Sequence, residues 1–175
     1  LNLWHFKNHD GLSADHKSNT ILFMSDQQAF ELLKTFFETR PACVVASDSL
    51  RKNVEIGVVI NDAVQCAFFK KDDKPQFEKR NAVNPDVVFH VSPDAVQTLI
   101  NSETDDIGEL GIAVAKMYLA GEIKIKVHGS MISLLTNGYL GVIKSGGLSF
   151  ARFLGSHGIS GLGKIKDVIQ KFRKH

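Results

Sequence analysis

In Ile123-Lys124-Ile125-Lys126-Val127 every second residue is apolar and the residues between are lysines, a two-residue period that suits a β-strand with one buried face and does not suit a helix. Val87-Val88-Phe89-His90-Val91 repeats the arrangement, with Val87, Phe89 and Val91 on one side. Two strands that each bury one side require a cover, and the residues between them supply it. Ser92-Pro93-Asp94 reads as a helix start, with proline at the first helical position, where its missing N–H is not needed. Val96, Leu99 and Ile100 then face inward. Thr104 or Asp105 is expected to cap a second helix, in which Ile107, Leu110, Val114 and Met117 follow helical spacing up to a stop at Gly121.

Upstream, Ser25-Asp26-Gln27-Gln28 has the form of a capping box, and Phe30, Leu33 and Phe37 trace one stripe of a helix that Arg40-Pro41 must end. Residues 43–47, 54–60 and 64–70 are rich in Val, Ile, Ala and Phe and predict three strands, with a tight turn at Asn61-Asp62. Residues 70–84 predict a mobile charged connection with a short helical turn around Phe77. Residues 131–143 predict a helix broken near Asn137-Gly138, and Gly146-Gly147 predicts a hinge before the apolar group Leu148, Phe150, Phe153 and Leu154. At the end of the chain, Ile165, Val168, Ile169 and Phe172 alternate with Lys166, Lys171, Arg173 and Lys174 in the manner of a basic amphipathic helix.

The order Asn84-Pro85-Asp86, an alternating strand ending at Ser92, a short helix, then Leu119-x-Gly121-x-Ile123-Lys124-Ile125-Lys126 closing in Gly129-Ser130-Met131 resembles the lipid-transfer domain of the sterol carrier protein type two (SCP2-like) family. The similarity is best over residues 42–144. The family pattern reaches its glycine directly after the second lysine, whereas here Val127 and His128 intervene, an insertion of two that keeps the strand faces in phase. The resemblance implies an α+β fold, a mostly antiparallel sheet of about five strands covered on one face by helices. It further implies non-enzymatic lipid binding and transfer without a cofactor or metal, with a fatty acyl chain, phospholipid or sterol-like ligand held in an apolar tunnel.

The candidate lining is Phe68, Phe89, Val91, Leu99, Ile100, Leu110, Val114, Met117, Tyr118, Met131, Leu134, Leu135, Phe150 and Phe153. A packed core and a hollow one need the same apolar faces, so the tunnel follows from the resemblance and not from periodicity. Three divisions are expected: an arm over 1–24, the lipid-binding domain over 25–147, and a basic lid or tail over 148–175.

Charge is uneven along the chain. Residues 144–175 carry seven Lys or Arg against Asp167 alone, a net +6, which leaves the remainder at −4 of the total +2. The basic tail fits transient contact with an anionic membrane surface; no nucleic-acid-binding fold accompanies it, so specific nucleic-acid recognition is not expected. Cys43 and Cys66 sit in apolar runs as small buried thiols, which fits a reducing, cytoplasmic setting. No apolar run reaches the roughly 18 residues a membrane span requires, and residues 1–17 lack the apolar core of a leader peptide.

Other chemistry is less well supported. The run from Gly158 to Lys164 approaches a phosphate-binding loop but places Ile165 where a magnesium-binding hydroxyl belongs, and Gly147-Leu148-Ser149-Phe150-Ala151 approaches a nucleophile elbow without its final glycine. His5, His9 and His16 lie in a stretch with no clear helical period to bring them together as a metal site, and His90 and His128 sit opposite the apolar parity of their strands. The alternatives are an accessory protein presenting a lipid or quinone precursor, an interaction module for a partner enzyme, and last a hydrolase using Ser149 or His157.

Overall fold

The computed structural model describes residues 24–158 together with Gln170. The arm carrying Trp4, Phe6 and the three early histidines, the phosphate-loop-like run after Gly158, and the expected basic helix all lie outside the described residues, Met24, Gly158 and Gln170 apart. In chain order the elements are α1 (Asp26–Thr39), α2 (Pro41–Asp48), β1 (Glu55–Ile60), β2 (Val64–Lys71), β3 (Lys74–Glu78), β4 (Val87–Val91), α3 (Pro93–Asn101), α4 (Ile107–Ala120), β5 (Ile123–Val127), α5 (Met131–Thr136), α6 (Tyr139–Ser145) and α7 (Gly147–Ser156).

The five strands form one sheet in the order β3-β2-β1-β4-β5, antiparallel throughout except where β4 lies parallel to β1. Register sets the faces. Phe77 pairs with Phe68, Phe68 with Ile56, Val58 with Cys66 and Phe89, and Phe89 with Ile125, so the apolar parity is continuous across all five strands. The helices cover this face: Phe30, Leu33 and Phe36 of α1, Val96 and Leu99 of α3, and Met117 of α4 share one core with Val58, Ile60, Phe68, Phe77, Val91 and Ile123.

Local chemistry builds the helix ends as expected. Ser25 Oγ accepts from the Gln28 amide at 3.2 Å while Gln28 Oε1 accepts from the Ser25 amide at 2.9 Å, and Ser92 Oγ accepts from the Ala95 amide at 3.1 Å. The Arg40 guanidinium donates to the carbonyls of Ile100 and Thr104, each at 3.1 Å, so the α1–α2 corner satisfies acceptors at the end of α3. Three expectations need correction. Asp106, not Thr104 or Asp105, is the N-cap of α4, its carboxylate accepting from the Glu109 amide; Thr104 instead accepts from the Asp106 amide. Residues 43–47 form a helix and not a strand: Pro41 starts a helical turn at N1, and the short apolar run has too little length for its β propensity to prevail over packing.

The third correction concerns residues 70–84, which hold a strand around Phe77 and not a helical turn. Asp72 and Asp73, at φ +49° and +58°, make a two-residue hairpin between Lys71 and Lys74 and admit β3 to the sheet. Phe77, fully buried, is the centre of an aromatic group, its ring 5.7 Å from Phe30 and 5.0 Å from Phe37. As β3 is an edge strand its outward backbone groups need cover, and α1 supplies it: Glu38 accepts from the Phe77 amide at 2.9 Å and Lys34 donates to the Phe77 carbonyl at 3.2 Å. From β3 the chain crosses the opposite sheet face. There Arg80 stacks 4.7 Å above Phe69 and donates two hydrogen bonds of 2.8 Å to Glu55, which also accepts from the Val83 amide.

Truncating Phe77 to Ala leaves a large void beneath α1 and costs about 3–5 kcal/mol, read as a fall in the urea midpoint at unchanged slope. Glu55 is held below the usual carboxylate range, first by its hydrogen bonds from Arg80. With the folded-state pKa depressed, the stability this pair lends is present above the ordinary Glu range and is lost as pH falls through the folded value. Glu55→Gln therefore lowers stability at pH 7 by at most about 1 kcal/mol, since water screens the pair, and flattens the acid limb of a stability-against-pH curve.

Candidate functional site

The helix-covered sheet face has two unlike halves. Over β2 and β3 it is occupied by the rings of Phe30, Phe36, Phe37, Phe68 and Phe77, all buried except half-buried Phe37, with centroids 5.0–5.7 Å apart. Over β4 and β5 the cover is thinner. The strand ends there are buried at Val87, Val91, Ile123 and Val127, yet the residues midway, Phe89 and Ile125, are only half-buried, as is Ile56 in β1. A sheet pressed against a tight helical layer buries its middle more than its ends. The reverse order marks incomplete cover over the middle of the sheet.

The helices above explain the gap. A Cβ on Gly108 of α4 would collide with the carbonyl of Gly146 between α6 and α7, and one on Gly111 would meet the Phe150 ring at 3.1 Å. Glycine thus lets α4 approach the α6–α7 corner closely, and these helices pack on one another as well as on the sheet. Leu110, Val114, Tyr139 and Val142 turn toward the core from this layer and all remain half-buried.

Of the residues singled out from sequence, Phe68, Val91, Leu99 and Met117 are buried in the main core, and Leu134 is buried in a small adjoining cluster with Val87 and Val127. Phe89, Ile100, Leu110 and Val114 are half-buried against the main core, and Tyr118, Met131, Phe150 and Phe153 are half-buried elsewhere in the helical layer. Leu135 is 46 % exposed and points away from that interior. Ile56, Ile125, Tyr139 and Val142 belong with the half-buried set and were missed. Strand parity marked the two isoleucines, and the i, i+3 spacing of Tyr139 and Val142 marked the others.

Tyr139 is distinctive chemically. Its hydroxyl is buried with no hydrogen-bond partner among the described residues, although its ring packs against both apolar clusters. Burial, then the nearby Asp86 charge, push its pKa above the ordinary tyrosine value, so the phenol stays a protonated donor. Asp86 does not take that proton in a hydrogen bond: its carboxylate accepts from Ser133 Oγ and from Asn137 Nδ2, and its carbonyl accepts from the His128 and Gly129 amides.

At the same end of the sheet, where β1 and β4 begin, lies a polar cavity of about 350 Å³ lined by Arg51, Lys52, Asn53, Val54, Glu55, Asn84, Asp86, Ser133 and Asn137. The sequence reading passed over it, because its lining comes from three separated segments with no motif.

Other titratable groups lie outside this region. Burial pushes the Cys43 thiol up to about 12 and Cys66 up to about 11, so neither is a nucleophile at neutral pH. His90 lies on the opposite sheet face, bonded through Nδ1 to Asp62 at 2.8 Å, and His128 is exposed just past β5. The His157 ring meets Ser156 and the Phe153 carbonyl; Ser149 is exposed in the first turn of α7. An unpartnered buried hydroxyl costs about 1–3 kcal/mol. Tyr139→Phe is accordingly expected to leave the ligand-free protein as stable or up to about 1 kcal/mol more stable by urea denaturation, whereas the loss of a working hydrogen bond would lower it.

No family model matches the chain, and no curated protein matches it. Among the described residues, no helix is long and apolar enough to cross a membrane. Solved structures do show likeness. A UbiJ-SCP2 ubiquinone synthesis protein aligns over 67% of this chain and 90% of its own at 13% identity and a TM-score of 0.39. The sterol carrier protein domain 2 of Helicoverpa armigera aligns over 68% and 86% at 20% identity and a TM-score of 0.38. Sterol carrier protein 2 from Yarrowia lipolytica, in its apo form, aligns over 71% and 96% at 14% identity and a TM-score of 0.36. These likenesses are too loose to carry a ligand or a residue role over to this chain.

Proposed function

We propose that this protein binds a lipid and carries it without covalent change, its aliphatic chain lying between the β4–β5 half of the sheet and the layer of α4 to α7. One observation supports this above the rest: the middle of that sheet half, at Phe89 and Ile125, is less buried than its ends and is faced by half-buried Leu110, Val114, Tyr139 and Val142. Apolar side chains that converge and still retain accessible surface are what an aliphatic ligand would cover.

About ten methylenes at about 0.8 kcal/mol each supply roughly 8 kcal/mol, the scale of a micromolar complex before the cost of association is met. A fatty acyl chain, a phospholipid tail and a sterol-like body all meet this requirement. The hydroxyl of Tyr139 would meet an oxygen-bearing group of the ligand at one end. Met131, half-buried at the start of α5, suits an adaptable wall because a thioether conforms to irregular shapes. We further propose that α7 closes the site, turning at Gly147, whose φ of +67° is a conformation glycine adopts freely, with Phe150 seated against Gly111 and Gly146 as the latch.

Val114→Trp tests the reading with two measurements. In a solid core the added volume costs about 1–3 kcal/mol of stability; in a hollow it fits with little loss and displaces the ligand. The expected result is a urea midpoint close to the parent's together with at least a tenfold weaker affinity for a fluorescent fatty acid. Strong destabilisation with unaltered affinity overturns the reading. Organic extraction of the purified protein followed by mass spectrometry identifies the class: acyl lipid or sterol supports carriage, while a polyprenyl quinone precursor moves the reading to presentation within a biosynthetic complex.

A further inference from the structure

The 350 Å³ polar cavity has a composition that the apolar region does not explain. It holds four charged residues, and they fall into two pairs. Glu55 is already bonded to Arg80 and to the Val83 amide, and Asp86 to Ser133 and Asn137, so each carboxylate oxygen already accepts at least one hydrogen bond from within the protein. Arg51 and Lys52 have no ion pair among the described residues, and the side-chain amides of Asn53 and Asn84 have no hydrogen-bond partner there. What the cavity leaves unused is therefore rich in donors and cationic.

The backbone singles out the same place. Among the described residues, six other than glycine have positive φ; Asn61, Asp62, Asp72 and Asp73 form the two hairpin turns, and the remaining two, Asn53 and Asn84, both line this cavity. Asn53 sits in a turn closed by the Val54 amide donating to the Arg51 carbonyl at 3.2 Å, which holds Arg51 and Lys52 at the rim. Val54 belongs at once to this lining and to the main core, and Asn137 is two residues from Tyr139. The polar cavity thus adjoins the apolar site.

We propose that this cavity binds an anionic, acceptor-rich group, a phosphate or a carboxylate, through Arg51, Lys52 and the amides of Asn53 and Asn84. Guanidinium and ammonium donors meet such oxygens in charge-assisted hydrogen bonds, and neither Glu55 nor Asp86 forms an ion pair with Arg51 or Lys52. A lipid head group and free phosphate share this chemistry. The first of these depends on lipid carriage as proposed above; the second does not.

The test titrates the full chain with 1-oleoyl lysophosphatidic acid, with monooleoylglycerol, and with inorganic phosphate, following heat and the amide resonances of Asn53 and Asn84. Arg51→Gln/Lys52→Gln is compared with Lys124→Gln/Lys126→Gln, the same charge change on the opposite sheet face, and urea midpoints confirm that each variant folds. The expected result is at least tenfold tighter binding of the lysophosphatidate than of the neutral lipid, with the difference abolished in the first variant and retained in the second. Phosphate shifting the two resonances while neither lipid binds sustains the anion site and removes lipid carriage. Equal binding of the two lipids, unchanged by Arg51→Gln/Lys52→Gln and with no phosphate effect, overturns the anion site and leaves lipid carriage standing. No response to any of the three probes overturns both.

Discussion

The parallel pairing of β1 with β4 is the contact on which the rest of the structure depends. It sets Val58 beside Phe89 and Ile60 beside Val91, and so joins the hairpins β1–β2–β3 to the β4–β5 pair with their apolar parities aligned. A slip of one residue would turn Lys124 and Lys126 toward the helices and Phe89 and Ile125 to the opposite face, exchanging an apolar surface for a basic one. Since α3 and α4 lie between β4 and β5 in the chain, this register also places both helices over the sheet. Core, helical layer and candidate site follow from one alignment.

Two kinds of packing then share that face. Where α1 meets β2 and β3, aromatic rings fill the space and the edge strand is tied by Glu38 and Lys34 to the helix above it. On the β4–β5 side, glycine contacts draw α4 toward the α6–α7 corner, and the sheet is left with partly covered apolar residues. The first arrangement sets closely spaced rings against the sheet; the second places partly accessible apolar side chains beside a buried phenol and a donor-rich polar cavity.

Much of this was legible in the residues. The Ser25 and Ser92 caps, the stop at Gly121, the break at Gly138 and four of the five strands each carry a local signal, because their chemistry is satisfied within a few residues along the chain. The failures share a cause. In residues 43–47 the sequence favours a strand, but a helix packing on α1 and α6 prevails; around Phe77 charged neighbours obscure a strand that β2, α1 and α2 stabilise. The candidate site was legible only as a supply of apolar side chains. Which of them would be solid core, as Phe68 and Met117 are, and which half-buried, as Phe89 and Val114 are, has no sequence signature.

The sequence by itself determined the periodicities, and with them which face of each strand and helix turns inward, since side-chain direction is a property of the local backbone. Only the tertiary structure decided how tightly those faces meet, whether the Tyr139 hydroxyl finds a partner, and that Arg51, Asn84 and Asn137 border one cavity. Those depend on the approach of segments distant in the chain, where a contact closer or looser by the width of one methyl group separates a packed interior from a hollow.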